Sequence, residues 1–225
     1  MAAGRGKVGV LQPPAASLAE RAYHAIREMI VSLELRPGAV IDERRLMEQL
    51  GIGRTPVREA LRRLAQERLV DVYPRRGMFV TSVEIRDLAS LAEVRCVLES
   101  SAARLAAERA TDDDRDAMAE LLDQLERHAE LDQRELMALD ERIHRQVYHS
   151  AHNQFLEASL EEYYVLALRI WYLALDRTRE LEQAVLTHRE ILEAIRDGDG
   201  DGAEQAMRHH VVEFEEAMRK VLTGS

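Results

Sequence analysis

Turn signals divide the first 81 residues of this 225-residue chain into three helical patterns and one β-rich hairpin pattern. Apolar residues recur at helical spacing from Ser17 onward, and the dipeptide Pro37-Gly38 ends that first pattern. The second and third patterns lie on either side of the tight turn formed by residues 51–53. The sequence therefore predicts a first helix from Ser17, a second over 42–50 and a third from about Thr55 to Arg68.

Individual residues predict which faces of these helices are buried and where the third helix begins. In the second helix, the residues expected to face inward are Leu46, Met47 and Leu50. In the third helix, the expected buried stripe consists of Val57, Ala60, Leu61 and Leu64. Thr55 is predicted as the N-cap of the third helix, with Pro56 at its first helical position, because these residue types favour those two places.

Two short β-rich runs follow the third helix. Residues 69–73 and 78–81 flank the turn sequence Pro-Arg-Arg-Gly, which ends at Gly77. Three helices with a glycine-bearing turn between the second and third, followed by a hairpin, describe a winged helix-turn-helix. The sequence therefore predicts a small DNA-binding fold at the start of the chain.

The rest of the chain has helical periodicity almost throughout. Thr111, Asn153 and the Gly/Asp run over 197–202 mark breaks between helices, and Asn153 is predicted to cap the helix that follows it. The Gly/Asp run lacks the terminal glutamate spacing of a calcium loop and is interpreted as a plain turn. Helices are expected near 84–110, 112–131, 133–151, 154–177, 179–197 and 202–222.

These patterns predict a mostly α fold, with a winged helix-turn-helix followed by an all-helical antiparallel bundle. The expected organisation is a disordered tail over 1–15, a DNA-binding domain over 16–82 and a helical domain over 83–222. No stretch of about 18 uncharged apolar residues is present, which argues against a membrane span. The single cysteine, Cys96, and the lack of an apolar signal segment favour a cytoplasmic protein.

The net charge of −10 is divided unevenly along the chain. Residues 1–83 contain 14 Lys+Arg and 9 Asp+Glu, a net charge of +5, whereas residues 84–225 contain 17 and 32, a net charge of −15. A basic first part joined to an acidic remainder indicates that only the first part faces a polyanion.

Basic residues cluster where a winged helix meets DNA. Arg54, Thr55 and Arg58 lie at the start of the third helix, where an arginine can bind a guanine edge through two hydrogen bonds. Further candidates for contacting phosphates or the minor groove are Arg44 on the second helix, Arg75, Arg76 and Gly77 at the hairpin tip. Any one of these arginines alone could simply solvate a helix face, but together they favour binding to double-stranded DNA.

Four residues of the acidic part have spacings that suit a metal site. Asp140 and His144 are four residues apart and therefore leave the same face of one helix. His188 and His210 lie at similar distances before and after the Gly/Asp turn, so an antiparallel helix pair would place them almost level. One carboxylate and three imidazoles suit a divalent transition metal, with Zn²⁺ favoured and Ni²⁺, Mn²⁺ or Fe²⁺ as alternatives. The alternative is an accidental coincidence among eight histidines.

The segments PGAVIDERRL, GIGRTPVREALRRL and LVDVYPRRGMFV resemble the winged-helix domain of GntR-family transcription regulators. The resemblance covers residues 17–81 and implies that Arg44, Arg54, Thr55, Arg58, Arg76 and Gly77 fall on the family's DNA-contact positions. Three residues depart from the family pattern. Gly53 stands where a serine or threonine is usual, which implies the loss of a hydroxyl cap and a phosphate contact, and Leu33 and Arg68 each replace a common glycine.

The later segments VRCVLESSAARLAAERA, LDERIHRQVYHSAHNQFL, THREILEAIRDGD and AEQAMRHHV resemble the FCD ligand-binding domain of the FadR branch. In many such members, an aspartate and three histidines hold a metal that binds a carboxylate effector. The resemblance implies this role for Asp140, His144, His188 and His210. It also places Arg95 at a pocket arginine, where it either clamps the effector carboxylate or pairs with Glu99 one turn away. Tyr148 and Arg169 are further candidates for lining the cavity. The six expected helices are similar to the shorter, VanR-like variant, although a split first helix would make seven.

Three hypotheses follow for function. In the first, the chain is a homodimeric repressor that binds a palindromic operator and responds to a small organic acid held at the metal. In the second, the metal site is catalytic, but no HExxH or equivalent base motif is present and the basic winged helix would have no role. In the third, the chain is a DNA-binding dimer whose metal site is purely structural. The sequence favours the first hypothesis and a chain that is not an enzyme.

Overall fold

A computed structural model of the chain describes residues 17–82, 87–173 and 178–223. These residues are mostly helical, with one two-stranded antiparallel sheet, so the predicted fold class is confirmed. The tail predicted over 1–15 lies outside the described residues. The chain divides into two compact units: the first includes Gly38–Thr81 and the chain up to Ile30, and the second comprises Val31–Pro37 and the chain from Ser82.

The first unit contains three helices and a hairpin, as the sequence predicts. Asp42 caps the second helix, because its side chain accepts hydrogen bonds from the backbone N–H groups of Arg44 and Arg45. Gly51 ends that helix in a left-handed conformation, with φ of 64°. The elements are α1 (Leu18–Val31), α2 (Glu43–Leu50), α3 (Arg54–Gln66), β1 (Val70–Tyr73) and β2 (Gly77–Val80).

Helix α3 begins at Arg54, and its N-cap lies two residues before the predicted one. Its N-cap is Gly53 rather than Thr55, and the Val57 N–H donates to the Gly53 carbonyl. Pro56 therefore occupies the third helical position, where its missing N–H costs nothing because that group has no intrahelical acceptor. Gly53 has no side chain, so no side-chain cap is made at the start of α3.

The apolar faces of the three helices form the core of the first unit. All four residues of the predicted stripe on α3 are buried, as are Ile26 and Ile30 on α1. In α2 only Leu46 is buried, whereas Met47 and Leu50 are partly exposed, because an eight-residue helix presents a single turn to the core.

Two non-glycine residues adopt left-handed backbone conformations at the positions where the resemblance implies glycine. Leu33 has φ of 60° and Arg68 has φ of 59°. α1 ends at Val31, well before the predicted stop at Pro37, because the left-handed turn at Leu33 cannot continue a right-handed helix. Both conformations cost roughly 1–2 kcal/mol for a residue with a Cβ atom.

The hairpin pairs Val70 with Val80 and Tyr73 with Gly77, so its turn has three residues rather than the predicted four. Arg75 occupies the left-handed position of this turn, with φ of 66°, and Gly77 follows with φ of 103°. The pairing places Arg75 and Arg76 at the tip of the wing.

The second unit contains seven helices among the described residues. They are α4 (Asp87–Arg109), α5 (Asp112–Glu126), α6 (Gln133–Ser150), α7 (Gln154–Leu173), α8 (Thr178–Leu186), α9 (His188–Arg196) and α10 (Gly200–Thr223). The prediction of a single helix over 179–197 is therefore wrong, because the helix is interrupted at Thr187. The described residues of this unit thus contain seven helices, the alternative count, but the additional break lies at Thr187 and not in the first helix.

Side-chain caps mark the starts of α5, α6 and α7. Thr111 and Asp114 form a capping box at the start of α5, and Asp132 and Glu135 form another at the start of α6. The Asn153 side chain accepts from the backbone N–H groups at the start of α7, so the predicted cap is confirmed. The Gly/Asp run makes the predicted turn, and α10 begins within it at Gly200.

Helix α4 packs along α10 and also contacts α6, α7 and α9, so the long helices enclose an apolar core. Fully buried members of this core include Met118, Leu125, Leu139, Ile143 and Val147. Among the helices of the described ranges, none is both long and apolar enough to cross a membrane.

Asp114 joins two helix ends, and its charge is expected to stabilise the second unit. It accepts hydrogen bonds from the Thr111 backbone at 2.9 Å and lies 2.8 Å from His152 Nε2. Burial raises the pKa of Asp114, but the hydrogen bonds from Thr111 and His152 lower it to about 2. A lowered folded-state pKa means that the stabilisation is present above the unfolded pKa and is lost as the pH falls towards 2.

We expect Asp114→Asn to lower the free energy of unfolding by about 1–2 kcal/mol at pH 7. The difference from the wild type should shrink below pH 4, because the wild-type carboxylate then protonates on unfolding. Urea unfolding at pH 7 and pH 3 measures both values. Asp113→Asn, an exposed neighbour in the same helical turn, is the control; an equal loss in both variants would contradict the assignment.

Candidate functional site

Four potential metal ligands from three helices meet inside the second unit. Asp140 and His144 lie one turn apart on α6, His188 is the first residue of α9, and His210 lies near the middle of α10. Each is at most 2% exposed. The break at Thr187 and the turn before α10 bring the two later histidines level, so the four candidate ligand atoms lie within 4.8 Å of one another.

The separations among these atoms match the coordination shell of a small divalent ion. His144 Nε2 lies 3.1 Å from His188 Nε2 and 3.3 Å from His210 Nε2. Asp140 Oδ1 lies 3.5 Å from His188 Nε2 and 3.8 Å from His144 Nε2. Ligands about 2.0–2.1 Å from a tetrahedral Zn²⁺ are about 3.3–3.4 Å apart, so these four atoms could surround such an ion with little movement.

Hydrogen bonds on the far side of each ring fix which nitrogen carries the proton. His188 Nδ1 lies 2.9 Å from the Val185 carbonyl, which can only accept. Thr187 donates its hydroxyl proton to the Ala184 carbonyl, so it accepts from His210 Nδ1 at 2.7 Å.

The third ring is fixed in the same way by a carboxylate. His144 Nδ1 lies 2.9 Å from Glu99 Oε2, a carboxylate oxygen that cannot donate a proton. We therefore assign the proton to Nδ1 in all three rings, which leaves each Nε2 with a free lone pair.

Burial keeps two of these rings, those of His188 and His210, neutral. Desolvation lowers the pKa of His188 to about 3 and lowers that of His210 well below its usual value, with neighbouring histidines adding to both shifts. Lone pairs that face one another at 3.1–3.3 Å repel unless a proton or a cation lies between them. Because these two rings do not bind an additional proton at neutral pH, the donor set fits a metal cation.

Asp140 is the anionic member of this set. Burial raises its pKa to about 6, whereas His144 and the hydrogen bond from Tyr164 act in the opposite direction. The Tyr164 hydroxyl donates to Asp140 Oδ2 at 2.6 Å and so leaves Oδ1 turned towards the imidazoles. The sequence analysis did not identify Tyr164, because its contact with Asp140 spans two helices that no local pattern relates.

Both alternatives for Arg95 are compatible with its position. Arg95 Nε donates to Glu99 Oε1 at 2.5 Å, so the intrahelical ion pair forms, yet Arg95 also lines a cavity beside the metal-ligand cluster. Its guanidinium lies between the rings of Tyr164 and Phe214. Burial raises the pKa of Glu99, but Arg95 first and His144 second lower it to about 2.

The cavity beside the cluster is very small: its free volume is about 10 Å³, close to what one water molecule needs. Besides Arg95, its lining includes Asp140, His144, His210, Trp171 and Phe214. Of the other predicted effector contacts, Tyr148 lies behind His144, with its hydroxyl 3.2 Å from Nδ1, and Arg169 is buried on α7. Neither of these two belongs to the cavity lining described in this unit.

Two further residues, Glu99 and Thr187, contact the cluster from behind. The i,i+4 spacing from Arg95 identified Glu99 only as an ion-pair partner, and its contact with His144 depends on how α4 packs against α6. Thr187 gave no signal, because a threonine before a histidine is an ordinary local sequence. Both residues act through hydrogen bonds between helices, which sequence periodicity does not report.

In the first unit, every residue predicted to contact DNA lies on the surface. The seven exposed residues are Arg44, Arg54, Thr55, Arg58, Arg75, Arg76 and Gly77. Glu43 forms ion pairs with two arginines of α3. It lies 3.8 Å from Arg54 Nε and 3.4 Å from Arg58 Nε. These long, exposed ion pairs contribute little and can exchange for contacts with a ligand.

Comparison with known proteins relates both units to one class. Residues 18–80 match the family described as "Bacterial regulatory proteins, gntR family", and residues 90–213 match the FCD domain. The chain is 36% identical over 195 residues to an HTH-type transcriptional regulator in an unstable DNA locus of Streptomyces ambofaciens, covering 84% of this chain and 80% of that protein.

Two Escherichia coli proteins are similar over most of their length. The HTH-type transcriptional repressor RspR is 26% identical, over 92% of each chain. The structure of E. coli McbR/YncC superposes with a TM-score of 0.76 at 26% identity, covering 90% of this chain and 95% of that one.

Proposed function

We propose, since the chain belongs to the GntR family of transcriptional regulators and carries an FCD domain, that it is a metal-dependent, effector-controlled repressor. The first unit would bind a palindromic operator as part of a cytoplasmic homodimer, and the second would bind a small carboxylate at a divalent metal ion. The observation that carries this proposal is the convergence of three buried imidazoles and one carboxylate beside a cavity that an arginine also lines.

The exposed arginines support the DNA-binding part of the proposal. Arg54, Thr55 and Arg58 would contact base edges and phosphates from the start of α3, and Arg44 would contact a phosphate from α2. Arg75, Arg76 and Gly77 at the wing tip would meet the backbone or the minor groove. Two copies of α3 related by two-fold symmetry would read half-sites about one helical turn apart.

The ligand set supports a transition metal, with Zn²⁺ favoured and Ni²⁺, Mn²⁺ or Fe²⁺ as alternatives. Asp140, His144, His188 and His210 would hold the ion, which would supply an electrophilic position for an effector carboxylate oxygen. Arg95 would bind the same carboxylate through its guanidinium, since arginine forms paired hydrogen bonds with carboxylates. The cavity has room for about one water molecule, so an effector carboxylate would bind there only if the side chains that line it moved apart.

Effector binding would regulate DNA affinity only if the effector bound two states of the dimer differently. The two other hypotheses were a catalytic metal site and a purely structural one. The chain is a regulator rather than an enzyme, because its family and its relatives are transcriptional regulators. A purely structural metal would leave the response to carboxylates unchanged when the ion is removed, so chelation tests the effector part of the proposal.

The DNA-binding proposal predicts that Arg58→Ala weakens specific binding by about 5- to 150-fold, the equivalent of losing one base contact. Fluorescence anisotropy with DNA from upstream of the protein's own gene, against a scrambled duplex, measures the loss. Arg21→Ala removes the same charge from an exposed position on α1 and is the control. It should leave the ratio of the two affinities unchanged. Equal affinity of the wild type for both duplexes would count against specific recognition of this site.

The metal proposal predicts that Thr187→Val weakens Zn²⁺ binding by about 10- to 100-fold, because His210 loses the group that holds its proton on Nδ1. Thr187→Ser keeps the hydroxyl and should bind Zn²⁺ like the wild type. The fluorescence of Trp171, the single tryptophan, reports on the cavity during a Zn²⁺ titration. If valine and serine variants bind Zn²⁺ equally, Thr187 does not position His210.

Metal removal tests the link between the two units. Chelation should abolish any effect of carboxylates on DNA binding by the wild type and should lower its melting temperature, because a ligand of the folded state stabilises that state. Anisotropy titrations across a carboxylate panel, with and without chelator, measure the first effect. A carboxylate response that survives complete metal removal would refute the proposed role of the ion.

A further inference from the structure

Glu99 contacts both parts of the proposed effector site. One of its oxygens accepts from Arg95 Nε at 2.5 Å, and the other lies 2.9 Å from His144 Nδ1. The side chains of Glu99 and Arg95 are 0% and 4% exposed. A single buried side chain therefore connects a metal-ligating imidazole to the guanidinium that faces the cavity.

Stability alone does not account for this arrangement. Helix α4 contains a second Arg–Glu pair at the same spacing, Arg104 and Glu108, which is about half exposed and contacts no metal ligand among the described residues. A buried ion pair pays a desolvation cost that its attraction often fails to offset, and apolar residues of similar volume frequently stabilise a core better. The position of Glu99 is better explained by what its two partners bind.

The two contacts of Glu99, with Arg95 and with His144, compete for the same negative charge. A cation on His144 Nε2 withdraws electron density from the ring, so the Nδ1–H becomes a stronger donor to Glu99. The carboxylate then holds Arg95 less tightly, and the guanidinium can bind an anion in the cavity more strongly. An anion on Arg95 strengthens the binding of a cation at His144 Nε2 by the same factor, because coupling between two ligands is reciprocal.

We propose that Glu99 is a positioning residue that couples the two halves of the site, so that a divalent metal and a carboxylate bind with positive cooperativity. This inference rests on the proposed function, since it requires that the cluster binds a metal and that the cavity binds a carboxylate. It adds a coupling through the protein to any direct bond between the two ligands.

The test is a double titration with Co²⁺, followed by its visible absorption, and with acetate as the carboxylate probe. In the wild type, saturating acetate should raise Co²⁺ affinity about 5- to 150-fold, and Co²⁺ should raise acetate affinity by the same factor. Glu99→Asp keeps the charge but is one methylene too short to reach both partners. We expect it to reduce the coupling factor at least 5-fold.

Glu108→Asp makes the same change in the matched exposed pair and should leave the coupling factor unchanged. Glu99→Gln is a second variant. It replaces one carboxylate oxygen by an NH₂ group, which cannot accept from the partner that it faces. Circular dichroism of metal-free protein checks that each variant is folded. A reduced coupling in both Glu99 variants, with retained Co²⁺ absorption, would support the inference.

The remaining outcomes separate this inference from the function on which it rests. If Co²⁺ and acetate bind cooperatively and the coupling factor is unchanged in Glu99→Asp, a direct metal–carboxylate bond explains the cooperativity. The role of Glu99 is then overturned and the proposed function stands. If the wild type binds no Co²⁺, the metal site itself fails and the inference fails with it.

Discussion

The candidate site depends on where three imidazole protons lie. Each ring carries its proton on the nitrogen that faces the surrounding protein, because a carbonyl, a hydroxyl and a carboxylate accept there. The three remaining nitrogens then face one another with free lone pairs in a dry interior. Three buried lone pairs with no proton between them repel one another, and a bound cation removes that repulsion. Stability of the bundle core and affinity for a metal are therefore expected to be linked.

The break between α8 and α9 has a physical reason in this constraint. The last carbonyls of a helix have no intrahelical donor, and Val185 lies in the last turn of α8, where its carbonyl accepts from His188. Thr187 sits at the break and connects the Ala184 carbonyl to His210 on another helix. A continuous helix over these residues would occupy both carbonyls internally. The interruption thus supplies two of the three groups that hold the imidazole protons.

The sequence predicted the parts of the fold that depend on local spacing. The four-residue interval between Asp140 and His144, and the placement of His188 and His210 about a turn, were sufficient to predict that these side chains converge. The break at Thr187 was not predictable, because apolar periodicity continues through it and its cause is a hydrogen bond to a distant helix. The contacts of Tyr164 and Glu99 were missed for the same reason: packing between helices decides them.

The same distinction explains the start of the recognition helix. The N-cap was predicted at Thr55 because threonine favours that position. Such a preference does not determine where the backbone enters the helix, and α3 begins at Arg54 with Gly53 as an N-cap that has no side chain. Leu33 and Arg68 adopt left-handed conformations that glycine accepts without strain, so the backbone geometry is retained where the residue is not. A missing cap and two strained residues each cost a modest free energy. The first unit therefore depends on its buried apolar faces, because Gly53 and Arg68 give it no favourable local backbone preference.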